Sequence, residues 1–207
     1  MKSFPEVVRI WLAAFVVSTV GAAIAFKRID VPVASHFWRI SHFLHPLSTA
    51  FGSTIILTLE AAVALGLVVA RVVRGHLSRL AEALAIACIA SICTYGINSE
   101  VLKPFFGVPT PTDVMEGTRH AFNFMMGSAN SSFPSGHMIL AGAFAGVFMR
   151  LHRASLWAFC GLLAFAACLL IIGGWHFVSD VIAGTFIGVS AGMLAGEVWT
   201  VHAALLR

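Results

Sequence analysis

The chain has 207 residues, 59% of them hydrophobic and only 11% charged, with a formal net charge of +4. A soluble domain carries about a quarter charged residues, so this balance excludes an ordinary soluble protein and indicates an integral membrane protein. No basic run interleaved with aromatics is present, which argues against nucleic-acid binding.

A helix crossing a bilayer needs about 20 mainly apolar residues at a rise of about 1.5 Å each. Six segments meet or approach this. The first covers residues 7–26 and is closed by Lys27 and Arg28. Lys2 and Arg9, ahead of its long apolar run, resemble the start of a signal peptide. No small-residue cleavage site followed by a soluble domain comes after, so a retained span is expected. Residues 29–48 place Val33, Phe37, Trp38, Ile40, Phe43 and Leu44 at roughly helical spacing. His36, Arg39, His42 and His45 lie between them, a pattern that predicts an amphipathic interfacial helix. The second span covers 49–72 and is interrupted by Glu60, an intramembrane acid and therefore a candidate functional group. The third covers 80–98.

Residues 99–134 form the longest non-spanning stretch, with Pro104, Pro109, Pro111 and Pro134 and three glycines. A loop of this length in a compact domain is usually functional, and it is expected to roof the site. The fourth span covers 135–151 and is short; the fifth covers 154–172. The sixth covers 179–202 and carries Gly184, Gly188, Gly192 and Gly196, one glycine every four residues. Gly142 and Gly146 repeat the spacing in the fourth span. Such stripes permit close helix approach and predict that the sixth span docks on the fourth. Cys88, Cys93, Cys160 and Cys168 all lie in apolar segments with no metal-site spacing, and read as small core hydrophobes.

With six spans both termini share one side. That side carries Lys2, Arg9, Arg71, Arg74, Arg79, Arg150, Arg153 and Arg207; the other carries Lys27, Arg28, Arg39, Lys103 and Arg119. The excess of positive charge predicts cytoplasmic termini and a site on the outer, periplasmic face of a bacterial inner membrane.

Two motifs stand at the edges of apolar runs on that outer side. Phe133-Pro134-Ser135-Gly136-His137 puts a histidine on a tight turn entering a helix. Gly174-Trp175-His176-Phe177-Val178-Ser179-Asp180-Val181 puts His176 and Asp180 four residues apart, on one helix face. Two imidazoles and a carboxylate are what phosphoryl transfer through a histidine nucleophile requires. One imidazole attacks, the carboxylate orients it, and the other imidazole protonates the leaving group.

These residues resemble the type 2 phosphatidic acid phosphatase and vanadium haloperoxidase superfamily. Its signature has three parts: Lys-x6-Arg-Pro, Pro-Ser-Gly-His and Arg-x5-His-x3-Asp. The resemblance implies an all-α bundle of six transmembrane helices with an interfacial amphipathic helix and an outer-side roof loop. It implies one integral membrane domain over residues 1–207, with the catalytic motifs within about residues 101–184. It makes His176 the phosphohistidine-forming nucleophile, Asp180 the carboxylate that holds its tautomer, and His137 the general acid. Ser135 and the backbone N–H of Gly136 become phosphate-oxygen donors, and Lys103 a cationic clamp. No metal or other cofactor is implied; the partners are a lipid phosphate substrate and the bilayer.

Two positions depart from the signature: Thr110 stands where the first part has arginine and Leu170 where the third does. Each lost arginine–phosphate pair would cost roughly 2–4 kcal/mol of transition-state stabilisation. Arg119, in the roof loop with His120 beside it, is the available substitute. A pocket short of cations also suits a phosphodiester, which carries one negative charge. On the breadth of the motif match, the favoured expectation is a lipid phosphate or pyrophosphate phosphatase. A headgroup phosphotransferase is the alternative. A non-catalytic lipid-binding relative ranks lower, because both histidines and the aspartate are retained, and a vanadate haloperoxidase ranks last.

Overall fold

The computed structural model describes residues 4–48, 52–118 and 125–205. Arg119 and His120 lie outside them. The described residues are helical, with no strand. Helix α1 (Phe4–Arg28) closes on Lys27 and Arg28, whose charges complement the helix C-terminus. The chain turns at Ile29 into α2 (Asp30–Ser48), the helix expected between the first two spans. Helix α3 (Ser53–Arg74) ends on Gly75, whose φ of 74° only glycine adopts at little cost. Helix α4 (Arg79–Ile97) starts under the Ser78 side chain, which accepts the Ala81 N–H.

The segment expected as an irregular roof is partly helical. After a wide helical turn at Asn98–Leu102, α4 runs on into α5 (Lys103–Phe106), and α6 (Pro111–Met115) follows. The returning chain lies along α5: Met125 N–H donates to Phe105 O at 2.9 Å, Gly127 N–H to Pro104 O at 3.0 Å, and Ser132 N–H to Val108 O at 2.7 Å. Helix α7 (Gly136–Leu151), α8 (Leu156–Ile172) and α9 (Val178–Leu205) complete the bundle.

Five helical stretches among the described residues are long and apolar enough to cross a membrane: 6–28, 53–74, 79–115, 153–172 and 178–203. The sixth expected span, α7, has 16 residues, about 24 Å at the helical rise, short of a hydrocarbon core of about 30 Å. Its position accounts for this. Helix α7 packs against α4, α8 and α9 and is the most buried of the long helices. A helix enclosed by others need not match the lipid, and its short N-terminal end leaves room for polar groups.

The glycine stripes do what their spacing predicts. A Cβ at Gly188 would lie 2.6 Å from Ile139 O, and one at Gly192 2.0 Å from Ala143 O. From the other side, a Cβ at Gly146 would lie 2.5 Å from Val189 O. Helices α7 and α9 therefore touch backbone to backbone, and their N-termini meet. Ala83 and Ala87 of α4 pack on Val147 and Phe148 of α7. Glu60 of α3 accepts a hydrogen bond of 3.0 Å from Ser91 Oγ of α4, which also reaches Leu140 O of α7. The intramembrane acid thus ties three helices together and lies off the site. At the opposite end from the site Arg150 pairs with Glu197.

Candidate active site

Four chain segments converge at the N-terminal end of α7. Ser135 caps this helix, its Oγ accepting the Met138 N–H at 3.3 Å. Its own N–H donates to Asp180 O at 3.1 Å, a backbone link between the two motifs. Gly136 follows because nothing larger fits: a Cβ there would lie 2.9 Å from the Tyr95 ring. Tyr95 Oη in turn pairs with Ser53 Oγ at 2.9 Å. Asn98, fully buried at the end of α4, donates to Pro134 O at 3.4 Å. The Pro-Ser-Gly-His turn is therefore held from α4 and from α9.

The second motif is held as firmly. Trp175 and His176 donate their N–H groups to Leu170 O at 3.0 and 3.3 Å, folding the chain back after α8. Asp180 is fully buried. Its Oδ2 accepts the Phe177 N–H at 2.8 Å and the Ser132 hydroxyl, and lies 3.5 Å from His176 Nδ1. At that distance Nδ1 and the carboxylate face each other without a hydrogen bond. His176 Nε2 points the other way, 3.5 Å from His137 Nδ1, with the two rings nearly edge to face.

The two imidazoles open into a cavity of about 420 Å3. Lys103, Thr110, Asp113, Ser131, Ser132 and Trp175 are among its other walls. Lys103 is buried and donates to Ala129 O at 3.0 Å from the roof segment. That bond uses one of its three donors. A carboxylate, two imidazoles and an ammonium from distant parts of the chain thus occupy one site.

A sequence model of the PAP2 superfamily matches residues 80–202, a span that holds all of these groups. The chain belongs to the PAP2 superfamily. Among solved structures it is similar to the transmembrane PAP2 type phosphatidylglycerolphosphate phosphatase from Bacillus subtilis, at 17% identity and a TM-score of 0.52. The match covers 91% of this chain and 94% of that one. At that identity the likeness bears on the fold alone. No curated protein matches significantly in sequence.

The PAP2 fold accounts for the gathering of His137, His176, Asp180 and Lys103. Ser135 and Gly136 form the floor of the turn beneath the cavity and are not among its described lining residues. Arg119 lies outside the described residues. The two signature arginine positions have been put to other uses. Thr110 caps α6: its N–H and hydroxyl both reach Asp113 Oδ2, at 3.0 and 2.8 Å, and its Oγ1 accepts the Asp113 N–H. Leu170 is buried in an apolar cluster with Met138 and Val181.

Sequence reasoning missed Ser132, Tyr95, Asp113 and Asp30. Ser132 stands just before the Pro-Ser-Gly-His turn, and a paired serine at that place was its only signal. Asp30 is 3% exposed and faces Ser179. Burial raises its carboxyl above the usual range and the charge of nearby Asp180 adds to this, while hydrogen bonds from Ser179 oppose it.

Proposed function

We propose that the protein removes phosphate from a lipid phosphate or pyrophosphate through a phosphohistidine intermediate. The observation that carries this reading is the direction of His176: Nδ1 faces a buried carboxylate and Nε2 faces His137. Nε2 attacks phosphorus as the ester P–O bond breaks, and His137 gives its proton to the departing oxygen. His137 then takes a proton from water, which attacks the phosphohistidine and releases inorganic phosphate. Lys103 neutralises charge on the phosphoryl oxygens throughout. The site shares an end of the bundle with Lys27 and Arg28, while the start of α1 and the end of α9 lie at the other. With the charge bias of the loops, this supports cytoplasmic termini and an outward-facing site.

The test is a single-turnover assay of purified protein with a panel of phosphate-bearing lipids. It reads both inorganic phosphate and any transferred headgroup, with His176→Ala as control. Phosphate release that the variant loses is the expected result. Release that the variant retains would sink the mechanism.

A second reading, headgroup transfer from a phosphodiester, is favoured by Asp113. Where the family signature has a cation, this chain has a threonine bound to a carboxylate, both on the cavity wall. Lys103 is the one lysine or arginine among the described lining residues. A phosphomonoester dianion therefore meets Lys103 and the proton-donating His137 on one side and the Asp113 carboxylate on the other, and a monoanionic diester is repelled less by that carboxylate. Asp113→Asn is expected to raise kcat/KM for a phosphomonoester lipid relative to a phosphodiester by roughly fivefold, the effect of about 1 kcal/mol of repulsion removed. An unchanged ratio on that panel would dismiss Asp113 as a selector.

A further inference from the structure

Helix α2 lies outside the PAP2 motifs, yet its first residue is one of the most buried charged groups in the protein. Asp30 Oδ1 accepts the Ser179 N–H at 3.0 Å and its Oδ2 accepts the Ser179 hydroxyl, across 149 residues of sequence. Ser179 is fully buried. The first N–H groups of a helix have no partner within it, and a residue just before the helix usually supplies one. Here α2 supplies it from outside, one residue before Asp180.

The same helix holds the other side of the histidine loop. Gly174 has a φ of 68°, and a Cβ there would lie 2.5 Å from Ser41 Cβ. Loop residues 175–178 are thus pinned between two contacts to α2, at Ser41 and at Asp30. Neither Asp30 nor Ser41 is among the described cavity-lining residues, so both bear on the loop and not on the cavity itself.

We infer that Asp30 is a positioning residue for the reaction: by fixing Ser179 it sets Asp180, and through Asp180 the tautomer and direction of His176. The inference rests on the histidine mechanism proposed above. It assigns to the segment between the first two spans a role in turnover that the signature motifs do not contain.

The experiment is a double-mutant cycle between Asp30 and Asp180, read by single-turnover kinetics on a radiolabelled lipid phosphate. Asp30→Ala should lower kcat roughly 10–100-fold, as loss of an orienting partner does, with KM unchanged. Asp30→Asn should restore most of the rate, because its amide oxygen still accepts the Ser179 N–H and its amide N–H can face the hydroxyl. In an Asp180→Asn background Asp30→Ala should cost no further rate, since the group it acts through is already disabled. An equal loss in both backgrounds, or a raised KM with unchanged kcat, would overturn the positioning role while leaving the histidine mechanism standing. So would a rate loss in Asp30→Asn as deep as in Asp30→Ala. Thermal melting in detergent separates a failure to fold from these outcomes: a folded Asp30→Asn alone suffices for the rescue arm. Turnover in His176→Ala would overturn the underlying mechanism instead.

Discussion

His176→Ala abolishes phosphate release and leaves the protein folded: this is the largest effect expected. The imidazole is nearly buried but lies on the wall of a cavity, and its removal enlarges that cavity without opening the apolar clusters. Asp180→Asn is the sharper version. An asparagine amide facing Nδ1 can present an N–H, which favours the tautomer with its proton on Nε2, the atom that must attack. In a serine-protease triad the equivalent change costs roughly ten-thousandfold in rate, and a loss of that order is expected. Asp180 also accepts the Phe177 N–H and the Ser132 hydroxyl, so some loss of stability accompanies it. His137→Ala should behave differently. Its loss should be severe with an alkyl ester and much milder with an aryl phosphate, whose leaving group needs no proton. The readout is the ratio of rates on the two substrates. A constant ratio would mean that His137 is not the general acid.

Gly192→Ala is expected to destabilise the bundle by at least the roughly 1–3 kcal/mol typical of overpacking. The added methyl would lie 2.0 Å from Ala143 O. The obstacle is backbone, so no rotamer change relieves it, and α9 must move away from α7. Since Ser135 N–H is bonded to Asp180 O across this same junction, separation of the helices also parts the two histidine motifs. Both melting temperature and kcat should therefore fall. Gly161→Ala is the control, because nothing lies within 4 Å of a Cβ there. It should be neutral or mildly stabilising, since alanine favours the helix by about 1 kcal/mol. Equal effects at both positions in detergent melts would show that the glycine stripe does not mediate packing.

The two unused arginine positions show what local reading misses. In sequence, Thr110 and Leu170 are gaps in a phosphate site. In the folded protein Thr110 is engaged as the cap of α6, and Leu170 packs with Met138 and Val181. Thr110→Arg would remove that cap, and Leu170→Arg would press a guanidinium into an apolar cluster, at a high cost in desolvation. Each position is committed to other contacts, so the double reversion is expected to give no gain in phosphomonoesterase activity.

The sequence by itself determined the long helices, the two histidine motifs, the cationic Lys103 and the docking of α9 on α7. Each is written in local patterns of composition, spacing or glycine period, and such patterns survive whatever the rest of the chain does. Only the tertiary structure decided that α7 falls short of a full span, because enclosure by neighbouring helices removes the need to match lipid. Only it decided that Ser132 and Asp30 brace Asp180, since these contacts join residues 48 apart, or 149 apart through the adjacent Ser179. Hydrogen bonds at such separations leave no trace in local spacing; they exist because the packed chain brings Asp30 to the donors of Ser179 and the Ser132 hydroxyl to Asp180.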